Sequence, residues 1–152
     1  TDRSSTASTS TPSREHALAR PTRTRPVSPA QVRAYAAKAQ EFAETAASAL
    51  EAGRYIASTS LAIHAGINSA DAVCGARLGQ RAAGEDRDQV LVLLSQAGPD
   101  GAEIVRDLRR LLPLKIKAEY EPDEIAASVA AKTVDRAQRC AAVAQRVADT
   151  TR

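Results

Sequence analysis

The stretch LAIHAGINSADAV, residues 61 to 73, decides how the chain is read. It sets one histidine, an asparagine and an aspartate into a run that is otherwise small and apolar. Ile63, Ile67, Ala70 and Cys74 recur at three- and four-residue intervals, and Ile56, Ser60 and Leu78 extend the same stripe in both directions. That is the period of an amphipathic helix. At about 100° per residue, His64, Asn68 and Asp71 fall within about 60° of one another, beside the apolar stripe. Such an edge either satisfies itself and neighbouring backbone at the margin of a core, or lines a cleft that takes a ligand. The residues alone leave both readings open.

Working outward, the spacing predicts this helix over about Arg54 to Ala82, ahead of a possible stop at Gly84. Interior Gly66, Gly75 and Gly79 each cost about 1 kcal/mol of helix propensity relative to Ala, which close backbone packing would offset. Before it, Ser28-Pro29-Ala30-Gln31 offers an N-cap, a proline in the first turn and a capping-box glutamine. A helix is therefore expected from Pro29 to Ala52, with Val32, Tyr35, Ala39, Phe42, Ala46 and Ala49 inward and Gly53 just past its end. Downstream, Asp86-Arg87-Asp88-Gln89 opens a short helix that closes near Gly98. Asp100-Gly101-Ala102-Glu103 opens another, running through Ile104, Leu108 and Leu111 to Lys115, with Pro113 bending or splitting it. Pro122 suits the start of a last helix reaching Thr150, whose Ala126, Ala130, Thr133, Ala137, Cys140, Ala144 and Val147 repeat every seven residues. No alternating strand pattern stands out. The fold class expected is all-α, a four- to five-helix up-and-down bundle over residues 28 to 152, behind a disordered Ser/Thr/Arg/Pro-rich tail at 1 to 27.

Composition narrows the function. Aromatics are 3% of the chain, with one Phe and no Trp or Met, so the core is built from Ala, Val, Leu and Ile. The formal charge of +3 sits in residues 1 to 30, where five arginines face two acids; the remainder balances. A basic tail of this kind adds nonspecific attraction to nucleic acid or anionic surfaces, or is simply a solvated linker. No apolar run suggests a signal peptide or membrane span, so a soluble, cytoplasmic protein is expected. Cys74 and Cys140 are read as small buried hydrophobes. No metal-ligand spacing, nucleophile elbow or zinc-protease motif is present, so no catalytic residue, metal or cofactor is assigned.

Two further groups compete with the polar edge. LKIKAEYEP, 114 to 122, puts Lys115, Lys117, Glu119 and Tyr120 at the end of a kinked helix. Lysines there complement the helix dipole, or Lys115 and Tyr120 reach the polar edge and grip phosphate or a partner backbone. QRAAGEDRD, 80 to 88, mixes charge signs and reads as a capped turn with exposed ion pairs rather than a phosphate cradle.

The order of these pieces resembles the HEPN superfamily of small helical nucleotide- and RNA-associated domains, in particular a non-catalytic branch. The residues carrying the resemblance are ASTSLAIHAGINSADAV (57 to 73), the charged turn GED (84 to 86) and LRRLLPLKIKAEYEP (108 to 122), together covering about residues 31 to 150. Active members use an Arg-x4-6-His motif, paired across a dimer. Here Lys115 stands at the basic position with no histidine at the required interval, and Arg81 is followed by Arg87 where the histidine would stand. A guanidinium stays protonated and cannot serve as a base. The resemblance thus implies a homodimer that binds RNA, nucleotide or a protein partner without cleaving RNA, in a toxin–antitoxin or defence setting. His64, Asn68, Asp71, Lys115 and Tyr120 are its expected ligand-binding residues. A divergent endoribonuclease using His64 as base, and a purely structural protein–protein interaction module, are the alternatives.

Overall fold

A computed structural model describes residues 23 to 84 and 86 to 152. Its elements, in order, are β1 (Thr24–Pro26), α1 (Pro29–Glu51), α2 (Tyr55–Leu78), β2 (Gln80–Ala82), α3 (Arg87–Ser95), α4 (Gly98–Leu111), α5 (Leu114–Tyr120) and α6 (Ala127–Asp149). The fold is mainly helical, as expected, but with six helices and one small sheet among the described residues rather than the four to five helices expected, because the expected Asp100-to-Lys115 helix is split at Pro113 into α4 and α5.

Local chemistry sets most of the boundaries. Ser28 caps α1 with both halves of a capping box: its hydroxyl accepts from the Gln31 amide at 3.2 Å, and Gln31 Oε1 accepts from the Ser28 amide at 2.9 Å. Asp86 caps α3 by accepting from the Asp88 amide at 2.9 Å. Pro113 lacks the N–H that would continue α4, so the ladder breaks and α5 starts as a separate short helix.

α2 is the centre of the molecule. It packs against α1, α3, α4, α5, α6 and β2, and 13 of its 24 residues are buried. A single stripe was expected, yet burial runs almost round the helix. That is possible because most of those residues are small. Ala39, Ala43 and Ala46 of α1 meet Ala62 and Ala65 of α2 and Ala137 and Ala141 of α6 in one cluster. Side chains of a single carbon let helix axes approach closely. The larger apolar groups, Ile63, Leu94, Ile104, Leu108 and Leu111, form the core on the α3–α4 side. Polar groups inside the bundle are answered mostly by backbone. Ser58 Oγ donates to the Ala46 carbonyl at 2.8 Å, tying α2 to α1, and Ser69 Oγ donates to the Ala65 carbonyl at 2.7 Å. Among the described residues, Thr59 Oγ1 and Gln89 Oε1 are buried without a partner.

Several expectations need correction. Residues 1 to 22 of the expected disordered tail lie outside the described residues, as does Glu85 of the charged turn. Residues 23 to 27, however, are part of the fold. β1 pairs antiparallel with β2, in the register Thr24↔Ala82, Arg25↔Arg81 and Pro26↔Gln80, and the Val27 amide donates to the Gly79 carbonyl at 2.9 Å. Val27 is 8% exposed and packs with Val32 and Ala36. The second helix stops at Leu78 rather than Ala82, because Gly79 turns left-handed at φ 72° and releases the chain into β2. The last helix starts at Ala127 rather than Pro122, and residues 121 to 126 are irregular. Ile56, expected on the core face, is 44% exposed.

Candidate functional site

His64 sits on α2 where the helix emerges between α1 and α5, with its side chain 41% exposed. On one flank the Phe42 ring of α1 lies 5.5 Å away, centroid to centroid, tilted by 32°. On the other flank His64 Nε2 is 3.3 Å from Glu119 Oε1 of α5. The second oxygen of that carboxylate accepts from Lys115 Nζ one helical turn earlier. Glu119 and Lys115 are largely covered, with side chains 17% and 15% exposed. The Lys115 ammonium also lies over the Tyr120 ring, 5.7 Å from its centroid, while Tyr120 itself is 74% exposed. One carboxylate therefore gathers a histidine and a lysine at the surface, beside an open aromatic face. That arrangement can hold an imidazole in place, orient an ammonium and offer a stacking platform.

Three of the five sequence-predicted residues, His64, Lys115 and Tyr120, thus come together. The other two differ in role. Asn68 is buried, at 8% exposure, and its side chain donates back to the His64 carbonyl at 2.8 Å. It stabilises the helix beneath His64 rather than facing outward. Asp71 is half-buried two turns on, and its charge reaches the Cys74 thiol. Burial first, and Asp71 second, push that thiol up to about 12. Cys140 is raised to about 12 as well, again chiefly by burial and then by Asp107. Both sulfurs are free, buried and held as neutral thiols.

Glu119, named in the sequence only as a member of the LKIKAEYEP charge group, is the residue of this cluster that was not assigned to the site. Its only local signal is the four-residue spacing to Lys115, which ordinarily marks a solvated helix pair. Its link to His64 spans 55 positions in sequence and is created by the fold.

A groove of about 1070 Å³ adjoins this cluster, between the first turn of α2, the end of α5 and the start of α6. Tyr55, Ile56 and Ile125 make its apolar walls, and Arg54, Ser60, Glu119 and Glu124 its polar rim. The displaced Ile56 is explained here: it lines the groove rather than the core.

A separate polar network staples the opposite part of the bundle. Asp100 accepts from Arg77 at 2.6 Å and from Arg146 at 3.1 Å, and Asp107 takes both a 2.8 Å and a 3.1 Å bond from Arg139. The hydrogen bond from Arg77, then that from Arg146, hold the Asp100 carboxyl below the usual range. Arg81, from the charged turn, lies 5.9 Å from the centroid of the Tyr35 ring. It is a structural contact between β2 and α1. Among the described residues no group of His, Cys, Asp and Glu is arranged to hold a metal ion, and no helix is long and apolar enough to cross a membrane.

A family model for the HEPN domain matches residues 32 to 152. The chain belongs to the HEPN family. The match runs from Val32, in the first turn of α1, through α6 and leaves β1 outside it. No curated protein matches the chain. Within this HEPN domain, His64 is the one histidine among the described residues, and it stands on α2, while a lysine of α5, Lys115, is bound to the same carboxylate.

Proposed function

We propose that this HEPN domain acts as a homodimer that binds RNA or a nucleotide at the α2–α5 edge without cleaving it. The observation that carries the reading is the Lys115–Tyr120 pair, an ammonium 5.7 Å above an exposed ring. A phosphate oxygen can take over the ammonium from Glu119, and the free face of Tyr120 can stack on a base. His64 then supplies a second donor, and the adjoining groove gives room for the rest of the ligand. The basic side chain recorded on the carboxylate that holds His64 is Lys115, a lysine where active members use an arginine, and this supports binding without cleavage.

Binding of single-stranded RNA and of ATP, followed by fluorescence anisotropy at about 50 and about 200 mM salt, tests this. Affinity should fall with salt, and Lys115→Ala or Tyr120→Ala should weaken it by about tenfold. Glu119→Gln, which removes the competing carboxylate, should strengthen it by a few-fold. Failure to bind either probe, or indifference to Lys115 and Tyr120, rejects the reading.

A second reading rests on His64 Nε2 lying 3.3 Å from Glu119, which is the geometry of a base held by a carboxylate. It makes the domain a divergent endoribonuclease. Cleavage of structured RNA that disappears in His64→Ala would establish it in place of the first.

A further inference from the structure

The groove beside the His64 edge is walled by Tyr55, Ile56 and Ile125. Exposed apolar side chains continue at its mouth: Ile56 is 44% exposed and Val129 37%. They stand in the first turns of α2 and α6, the two helices that open the groove. Its volume of about 1070 Å³ is at the top of the range that small-molecule sites enclose, about 300–1,000 Å³. The charge around it is uneven. Glu119 is spent on His64 and Lys115. In the segments that line and border the groove, Glu51, Glu121, Asp123 and Glu124 are exposed acids, against the exposed cations Arg54 and Lys117. Among the described residues no ion pair takes up any of these six. Lys132, the next cation along α6, stands about 140° round the helix from Ala127 and so leaves the balance at the groove acidic.

We infer that this groove docks an apolar, cationic segment of a partner protein. Exposed apolar residues around an apolar groove mark a contact with another macromolecule, and the sign of the border selects which kind. Four carboxylates against two cations repel a phosphate chain. A strand held at Lys115 and Tyr120 therefore does not run on through the groove, and only its uncharged parts enter. A second copy of the chain, meeting this patch across a two-fold axis, would set the same excess of acid against itself. A polypeptide answers both features at once. Leucine-sized side chains cover Ile56 and Ile125, the apolar centre that an interface needs, while lysine or arginine meets Glu124 and its neighbours on the rim. The inference does not rest on the RNA reading, because the walls and border of the groove are the same whatever the His64 edge binds.

Two amphipathic helical peptides of about 14 residues serve as probes, one built of leucine and lysine, the other of leucine and glutamate. Amide NMR shifts of the full chain, recorded at about 150 mM salt, read their binding. The leucine–lysine peptide should bind with shifts centred on residues 53 to 60 and 118 to 127, the segments that form the groove. The leucine–glutamate peptide should bind about tenfold more weakly. Ile56→Ser and Glu124→Lys should each weaken the leucine–lysine peptide by about fivefold, and Glu124→Lys should strengthen the other. Val92→Ser removes a similarly exposed apolar side chain on α3, 49% exposed, and should change neither. Circular dichroism checks that each variant is folded. No binding up to about 500 μM overturns the proposal. Equal binding of the two peptides, shifts centred elsewhere, or indifference to Ile56 and Glu124 does the same. A loss of self-association in Ile56→Ser, read by sedimentation, gives the groove to a second copy instead. A loss of RNA affinity in Ile56→Ser with no peptide bound gives it to nucleic acid. RNA that fails to bind at all ends the reading of the His64 edge while the peptide results still decide the groove.

Discussion

Gly75 tests the claim that short side chains in α2 exist to admit close neighbours. Replacing it with Ala improves helix propensity by up to about 1 kcal/mol, so on local grounds the variant gains stability. The surroundings oppose this. A Cβ at position 75 would lie 2.5 Å from Val27 Cγ1, 3.0 Å from Val27 Cβ and 3.0 Å from Val32 Cγ2. Val27 cannot turn aside easily: it is β-branched, and its amide is tied to Gly79 by a 2.9 Å bond. Overpacking at such a site costs about 1–3 kcal/mol, and expelling Val27 forfeits a similar amount of burial. Either route outweighs the propensity gain and leaves Gly75→Ala about 1–2 kcal/mol less stable, a fall in Tm of about 2–8 °C. Gly66→Ala is the control. There the nearest atoms are the Cδ1 methyls of Leu111 at 2.7 Å and Leu108 at 3.0 Å, which lie at the far ends of rotatable side chains. Strain and propensity should nearly cancel, with a change within about 1 kcal/mol. Urea and thermal unfolding of both variants give the comparison. A Gly75→Ala protein more stable than wild type would show that β1 and Val27 do not press on α2, and the reasoning would fail.

Acid unfolding should report Asp100. Its carboxyl is held below the ordinary value, first by the Arg77 hydrogen bond and then by that of Arg146, so its contribution is complete above the unfolded value of about 4 and disappears as pH falls through the lower folded value. Asp100→Asn should therefore flatten the loss of stability below about pH 4, and an unchanged slope between pH 2 and 5 would count against the network. Thiol labelling offers a separate check. With Cys74 and Cys140 pushed up to about 12 and buried, the folded protein should resist iodoacetamide at about pH 8 while the urea-unfolded chain takes up both equivalents. Rapid labelling of either sulfur in the native state would mean that α2 or α6 opens far more readily than its packing allows.

What the sequence revealed and what it hid follow from the range of the interactions concerned. Caps are local, so Ser28, Asp86 and Pro113 could be read directly, whereas the helix expected to open at Asp100 begins at Gly98, with no side-chain cap, and ends at Leu111. The sheet was not legible. Its strands are Thr24–Pro26 and Gln80–Ala82, too short for alternation to register, one of them ends in proline, and their pairing joins segments more than 50 residues apart. Gly79 illustrates the same limit. As one of several glycines in a helical run it reads as an interior residue, and only its left-handed φ of 72° shows it as the point where the helix ends.

The site divides along the same line. His64, Asn68 and Asp71 are one helical edge by periodicity alone, but periodicity does not say which of them a neighbouring helix will cover. Asn68 is covered and spends its donor on its own helix. His64 stays partly open because one flank meets the Phe42 ring among the small side chains of α1 and α2, while on the other the break at Pro113 turns α5 across it. A continuous α4 helix would instead have carried residues 114 to 120 straight on. The proline that ends one helix is therefore what brings Glu119 to His64, Lys115 to the same carboxylate and Ile116 to the outer surface. Any chemistry at this edge depends on that break.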